Sequence, residues 1–110
     1  MNFENVIDPV ELDEWINQNK SFQLVDITEE KILEAFENEF TWLPASKLLS
    51  QIHLLRKDVP VVLCCQHGES SFIIMNIIQL QFNLLNIYSL KTGLNGWKGI
   101  NNSNCICDVG

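Results

Sequence analysis

Positive charge is what this chain has least of. Seven Lys and Arg stand against fourteen Asp and Glu, a formal net charge of −7. That balance argues against nucleic acid and anionic membrane surfaces, which are bound by clustered cations. A basic protein or a small metabolite suits it better. Long apolar runs are also missing. The longest candidate, Phe72 to Leu85, is interrupted by Asn76, Gln79, Gln81 and Asn83, so no membrane span is expected. Met1-Asn2-Phe3-Glu4-Asn5 has neither a basic n-region nor an apolar h-region, so no signal peptide is expected. Four cysteines in that setting point to reduced thiols and a cytoplasmic location, not to a disulfide framework. Internal repeats, linkers and low-complexity segments are absent. What is present is a chain of 110 residues, 46% hydrophobic, enough to fill one core. One domain is expected over residues 1–100, with residues 101–110 as a loose, aperiodic tail.

Along the chain the hydrophobic period alternates. Phe3 to Ile7 reads as a short strand. Asp8 is placed as an N-cap, with Pro9 at the first helical position and Glu11 closing a capping box. Leu12, Trp15 and Ile16 then share one helical face, and Asn17 to Lys20 ends the helix. Phe22 to Ile27 reads as a strand. A helix is expected through Ile32, Leu33 and Phe36, then a short edge strand from Phe40 to Leu43 stopped by Pro44. Another helix is expected through Leu48, Leu49, Ile52 and Leu55, followed by a Pro60 to Cys64 strand and a Ser70 to Phe82 helix. Asn86 to Leu90 is the last strand, and Gly93-Leu94-Asn95-Gly96-Trp97 turns into a terminal helical piece. Such alternation predicts an α/β fold: a parallel sheet covered on both faces, with ligands beyond the carboxyl ends of its strands.

Cys65 lies at such an end. Pro60-Val61-Val62-Leu63-Cys64-Cys65 is an apolar run that finishes in a thiol. A polar turn with one glycine follows, Gln66-His67-Gly68-Glu69-Ser70-Ser71, and then the apolar stretch Phe72 to Leu80. The order reads as buried strand, tight loop, helix. Exposed amide N–H groups and the helix dipole favour an anion at that helix mouth. A thiol so placed loses its proton more easily, and the thiolate is the nucleophile. Cys64 should point the opposite way along the strand and fill the core.

Three passages together carry a resemblance. Leu24-Val25-Asp26-Ile27 looks like a "LVDvR" strand end. Cys65-Gln66-His67-Gly68-Glu69-Ser70-Ser71 looks like an active loop of a cysteine, two variable residues, a glycine, another variable residue, then Ser or Arg and Ser. Tyr88-Ser89-Leu90-Lys91-Thr92-Gly93-Leu94-Asn95-Gly96-Trp97 looks like a "y-x-L-x-G-G-x-x-x-W" closing motif. In this order and spacing the chain resembles the rhodanese (thiosulfate sulfurtransferase) superfamily from roughly Asn5 to Gly99. Its loop is similar to those of stand-alone single-domain bacterial members. The resemblance implies a five-stranded parallel sheet with helices on both faces and sulfur transfer through a persulfide on Cys65. The donor would be thiosulfate or a persulfide, and the acceptor cyanide, a thiol or a carrier protein. No cofactor and no metal are implied.

The residues make chemical sense of that expectation. Inward N–H groups from Gln66 to Ser70 would hold an anionic sulfur without a counter-charge. Gly68 permits a positive φ. Ser70 and Ser71 offer hydroxyl donors to sulfur or caps for the helix. Asp26 either positions the loop or caps its strand end. His67 either tunes the thiolate or is solvated. Glu69 is expected at the rim, and Lys91 is the cation expected nearest the pocket. A tyrosine phosphatase loop would place an arginine six residues after its cysteine. That position is Ser71 counted from Cys65 and Ser70 counted from Cys64, which argues against phosphatase or arsenate reductase chemistry.

Some positions depart from the family pattern. The "GHIxGA" segment is absent near Glu37-Asn38-Glu39-Phe40; Thr28 stands where an arginine is usual, His67 holds the loop position that is basic in some thiosulfate-active members, and Glu69 adds negative charge to the loop. These changes should weaken binding of the thiosulfate dianion and favour a persulfide donor. Two other readings stay open. One is a catalytically weak binding or persulfide-sensing module with Cys65 as an inert or sensing thiol. The other is a metal or redox protein using Cys64, Cys65, Cys105 and Cys107, with His53 not obviously near. A monomer or a weak homodimer through the apolar stretch Phe36 to Trp42 is expected. Trp15, Trp42 and Trp97 read as packing residues.

Overall fold

The computed structural model describes residues 4–30 and 40–97. Five parallel strands form one sheet: β1 (Val6–Ile7), β2 (Gln23–Asp26), β3 (Thr41–Trp42), β4 (Val61–Cys64) and β5 (Ile87–Leu90), in the order β1-β5-β4-β2-β3. β4 sits at the centre, with Asp26 opposite Cys64 on one side and Leu63 opposite Ser89 on the other.

Side-chain alternation along β4 divides the core in two. Val61, Leu63 and then Cys65 face one layer, with Val25, Ile27, Ile87, Leu48, Leu55, Met75 and Ile78. Val62 and Cys64 face the other, with Ile7, Leu12, Trp15, Leu24, Leu90, Leu94 and Trp97. Helices therefore cover both faces. On the first lie α2 (Ala45–Leu48) and α3 (Glu69–Phe82); on the second lie α1 (Pro9–Asn17) and a helical segment at residues 93–97. Each large apolar side chain fully buried this way is worth about 1.5–3 kcal/mol.

α1 begins as its sequence dictates. Asp8 Oδ1 accepts the Glu11 N–H at 2.9 Å, with Pro9 in the first turn. Trp97 is fully buried and donates its indole N–H to Asp13 Oδ1 at 2.7 Å, locking residues 93–97 to α1.

The helix expected through Leu48 to Leu55 is corrected. It stops at Leu48 and continues as a 3-10 segment, Leu49–Leu54, with Gln51 at a non-helical φ of −123°. Leu48 and Leu55 are buried and Ile52 packs partly against the core, but Leu49 and Leu54 are exposed, so no continuous apolar stripe holds an α-helix there. Ser50 also bonds the Lys47 carbonyl with its hydroxyl, which competes with helical pairing. The helix expected through Ile32 to Phe36, most of the apolar stretch expected to support a dimer, and the tail at 101–110 lie outside the described residues. Trp42, at the end of that stretch, is 40% exposed. Among the described residues no helix is long and apolar enough to cross a membrane.

Candidate active site

β4 ends at Cys64, and Cys65 opens a loop that runs into α3. The loop turns at Gly68, whose φ is +95°. A Cβ there would stand 2.9 Å from the Thr92 nitrogen, so both the dihedral and the space require glycine. Gly68 is also the N-cap of α3 and offers no side chain to the helix. The sulfur of Cys65 takes that place. Cys65 Sγ accepts the Gly68 N–H at 3.0 Å and the Ser71 N–H at 3.3 Å. The Ser71 N–H, at the third helical position, is one that an N-cap oxygen ordinarily binds. A thiol thus lies where the backbone of a 14-residue helix presents its free donors.

Hydroxyl groups complete the surround. Ser71 Oγ lies 3.5 Å from Cys65 Sγ, donates to the Gly68 carbonyl at 3.2 Å and meets Ser89 Oγ at 2.7 Å. Both serines are buried.

The loop carbonyls are held on the opposite side. Leu94 N–H donates to Cys65 O at 2.8 Å and Asn95 N–H to Gln66 O at 3.0 Å. With the carbonyls engaged there, the N–H groups are left to the sulfur. Gly93 (φ +62°) makes this approach possible: a Cβ on it would come within 2.4 Å of Cys65 O. Thr92 beside it also has a positive φ, 61°, where the family motif has glycine.

Cys65 itself is 6% exposed, at the floor of a recess of about 320 Å³ lined by Gln66, His67, Glu69 and Ser70. His67 Nδ1 lies 3.1 Å from Asn95 Nδ2. Glu69 stands at the rim, exposed. Of the two serines offered as donors, Ser71 is at the sulfur and Ser70 lines the recess. Cys64 points the other way, 0% exposed; burial, then the Asp26 charge, then Cys65 push its thiol well above the usual range.

The two expected supporting residues do not line the recess itself. Asp26 caps its own strand end: Oδ1 accepts the Thr28 N–H at 2.9 Å and the Thr28 hydroxyl. Lys91 lines a neighbouring groove of about 540 Å³ with Gly68, Glu69, Ser89 and Thr92; Glu69 stands between this groove and the Cys65 recess. The reason is register: Lys91 N–H bonds Ile7 O, which ties it to β1, the edge strand away from β4. Thr28 and Lys91 are not among the described residues lining the Cys65 recess. Among the described residues no three His, Cys, Asp or Glu side chains gather as a metal site; Cys105 and Cys107 lie outside them.

Reading the sequence alone missed Ser89 and the paired amides at 94 and 95. A serine inside the otherwise apolar strand Ile87–Leu90 is the signal that could have found the first.

The model of the rhodanese-like domain family matches residues 8–100. The chain belongs to this family. Solved structures agree on the fold. A rhodanese-related protein from Thermoplasma volcanium is 23% identical with a TM-score of 0.72, covering 87% of this chain and 92% of that one. An NAD-dependent persulfide reductase from A. fulgidus is 23% identical with a TM-score of 0.66; the match covers 84% of this chain but 16% of the reductase. A protein from Rhodopseudomonas palustris, described as a possible tyrosine phosphatase, is 15% identical with a TM-score of 0.73, covering 88% of this chain and 81% of that one. No curated protein matches this rhodanese-like chain.

Proposed function

We propose that this rhodanese-like domain is a sulfurtransferase that carries sulfane sulfur as a persulfide on Cys65. The observation that supports it most is the pair of backbone N–H groups, Gly68 and Ser71, aimed at Cys65 Sγ. Each hydrogen bond to a charged sulfur is worth about 1.5–3 kcal/mol, with no counter-ion needed. In the first half-reaction the Cys65 thiolate attacks the outer sulfur of a donor R–S–SH. The Cys65–S bond forms, the donor S–S bond breaks, and RS⁻ leaves. In the second, an acceptor thiolate attacks the outer sulfur of Cys65–S–SH, leaving as its own persulfide and restoring the Cys65 thiolate. The same amides serve both halves, because the departing and the attacking sulfur of Cys65 occupy one place.

The recess favours a persulfide donor over thiosulfate. Its described lining holds one carboxylate, Glu69, and no Lys or Arg, a poor surround for a dianion. The fold neighbour from A. fulgidus, a persulfide reductase, keeps company with that preference. Phosphate chemistry is disfavoured for the same reason, since the loop position of a phosphatase arginine is Ser71. The acceptor would be cyanide, a small thiol or a protein thiol in a cytoplasmic setting, with the chain acting as a monomer or weak homodimer. A second reading is a binding or sensing module of the same fold, favoured by the 6% exposure of Cys65.

Intact-protein mass spectrometry after brief exposure to thiosulfate, and separately to a small-molecule persulfide, tests the proposal. A gain of one sulfur that cyanide removes and Cys65→Ser prevents is expected, larger with the persulfide. No gain from either donor on folded, reduced protein would leave the sensing module in its place.

A further inference from the structure

We propose that Ser89 is a positioning residue for the reactive sulfur, acting through Ser71. This rests on Cys65 being the reactive sulfur of the preceding reading. Ser89 lies on β5, in the interior of the sheet, opposite Leu63 on one side and Val6 on the other. It is 1% exposed, and its strand neighbours Ile87 and Leu90 are 0% exposed. Burying a hydroxyl there is unfavourable unless it is bonded, and its bond is to Ser71 Oγ at 2.7 Å.

Counting protons gives that bond its direction. Ser71 has one hydroxyl proton and three neighbours: Cys65 Sγ, the Gly68 carbonyl and Ser89 Oγ. While Cys65 is a thiol, its S–H donates to Ser71 Oγ, and Ser71 O–H goes to the Gly68 carbonyl. Once the sulfur is an anion, its proton passed to solvent, Sγ can only accept. Ser71 O–H then turns to the sulfur, while Ser89 O–H, which must donate to the Ser71 oxygen in both states, keeps that bond. A hydroxyl that accepts a hydrogen bond donates a stronger one, so Ser89 reinforces the third donor to the sulfur when the charge appears. Two serines in series let the surround adapt between neutral and charged sulfur while the amides of Gly68 and Ser71 stay fixed.

The test is the pH profile of iodoacetamide alkylation at Cys65, resolved by peptide mass spectrometry. Ser89→Ala is compared with wild type, with Ser89→Thr as the conservative rescue and Ser89→Cys as a variant of near-equal volume with a weaker donor. In Ser89→Ala the half-maximal pH should rise by about one unit, a roughly tenfold loss of rate on the acidic limb. The limiting rate at high pH should hold. Ser89→Thr should return the profile, and Ser89→Cys should fall between. Superimposable profiles for Ser89→Ala and wild type, or a lowered limiting rate with no shift, would overturn the proposal. If Ser89→Ala fails to fold, Ser89→Cys carries the same decision. Alkylation needs no sulfur donor, so a wild type that takes up no persulfide, with the shift still present in Ser89→Ala, would sink the sulfurtransferase reading and keep this one.

Discussion

Cys64 and Cys65 are chain neighbours with the same side chain and opposite circumstances. Cys64 packs among Ile7, Leu12, Trp15 and Leu90 with no exposure, and its thiol is held neutral by burial and by the adjacent Asp26. Cys65 faces the other layer, opens to a recess and receives two N–H groups. The period of two in a strand makes the first difference, sending them to opposite faces. The second comes from where the strand stops. One residue further on, the chain has left the sheet, and its neighbours are the unpaired donors of a helix. The difference in surroundings thus belongs to the position, and the thiol is only its occupant.

The largest break in the comparison is an exchange of serines. Cys65→Ser should abolish sulfur uptake in the mass assay and leave the thermal melt nearly unchanged. Cys64→Ser should do the reverse. Uptake persists, while a hydroxyl in a fully buried apolar site costs about 1–3 kcal/mol in denaturant unfolding. Uptake that survives in Cys65→Ser and vanishes in Cys64→Ser would invert the assignment.

Gly93→Ala attacks the surroundings of Cys65 and leaves Cys64 alone. Its Cβ would meet the backbone at Cys65 O and Gln66 C, within 2.4 and 2.6 Å, and neither can swing aside like a side chain. We expect a loss of about 2–4 kcal/mol and a large drop in sulfur uptake. An alanine variant with wild-type uptake would separate the loop geometry from the chemistry.

Alkaline pH probes Cys64. The unfolded chain ionises this thiol from about pH 8.5, while the folded chain holds it protonated well beyond. Above that pH the unfolded state binds fewer protons. Stability, intact below the ordinary thiol range, should therefore fall as pH rises through it, by at most about 1.4 kcal/mol per unit. Cys64→Ala should flatten that limb in urea titrations at pH 8 and 10; equal slopes would deny the burial effect.

The smallest expected effect is at the rim. Glu69→Lys should raise kcat/KM for thiosulfate about fivefold relative to a neutral persulfide, the worth of roughly 1 kcal/mol of surface electrostatics. An equal change for both donors would show that charge at this rim does not select between them.

The sequence was most readable where burial repeats with a period. β2, β4 and β5 stand within their expected runs, and α1 starts at Asp8 as its capping residues require. Readability failed where a long-range contact decides. Lys91 belongs to the closing motif, yet its backbone pairs with Ile7, some eighty residues earlier, and it lines the groove beside the recess, not the recess itself. The bonds from Leu94 and Asn95 to the loop carbonyls leave no mark in local composition, because their value appears only once β4 and β5 are side by side.

Those two bonds also set an order in time. All seven residues of the loop are synthesised well before residues 93–95, but the shape of the loop depends on amides that arrive later. A growing chain that has reached residue 92 holds the whole loop with nothing turning the Cys65 and Gln66 carbonyls outward, and its thiol should alkylate like one in a free peptide. The loop thus takes its final shape only when the chain that follows β5 folds back over it.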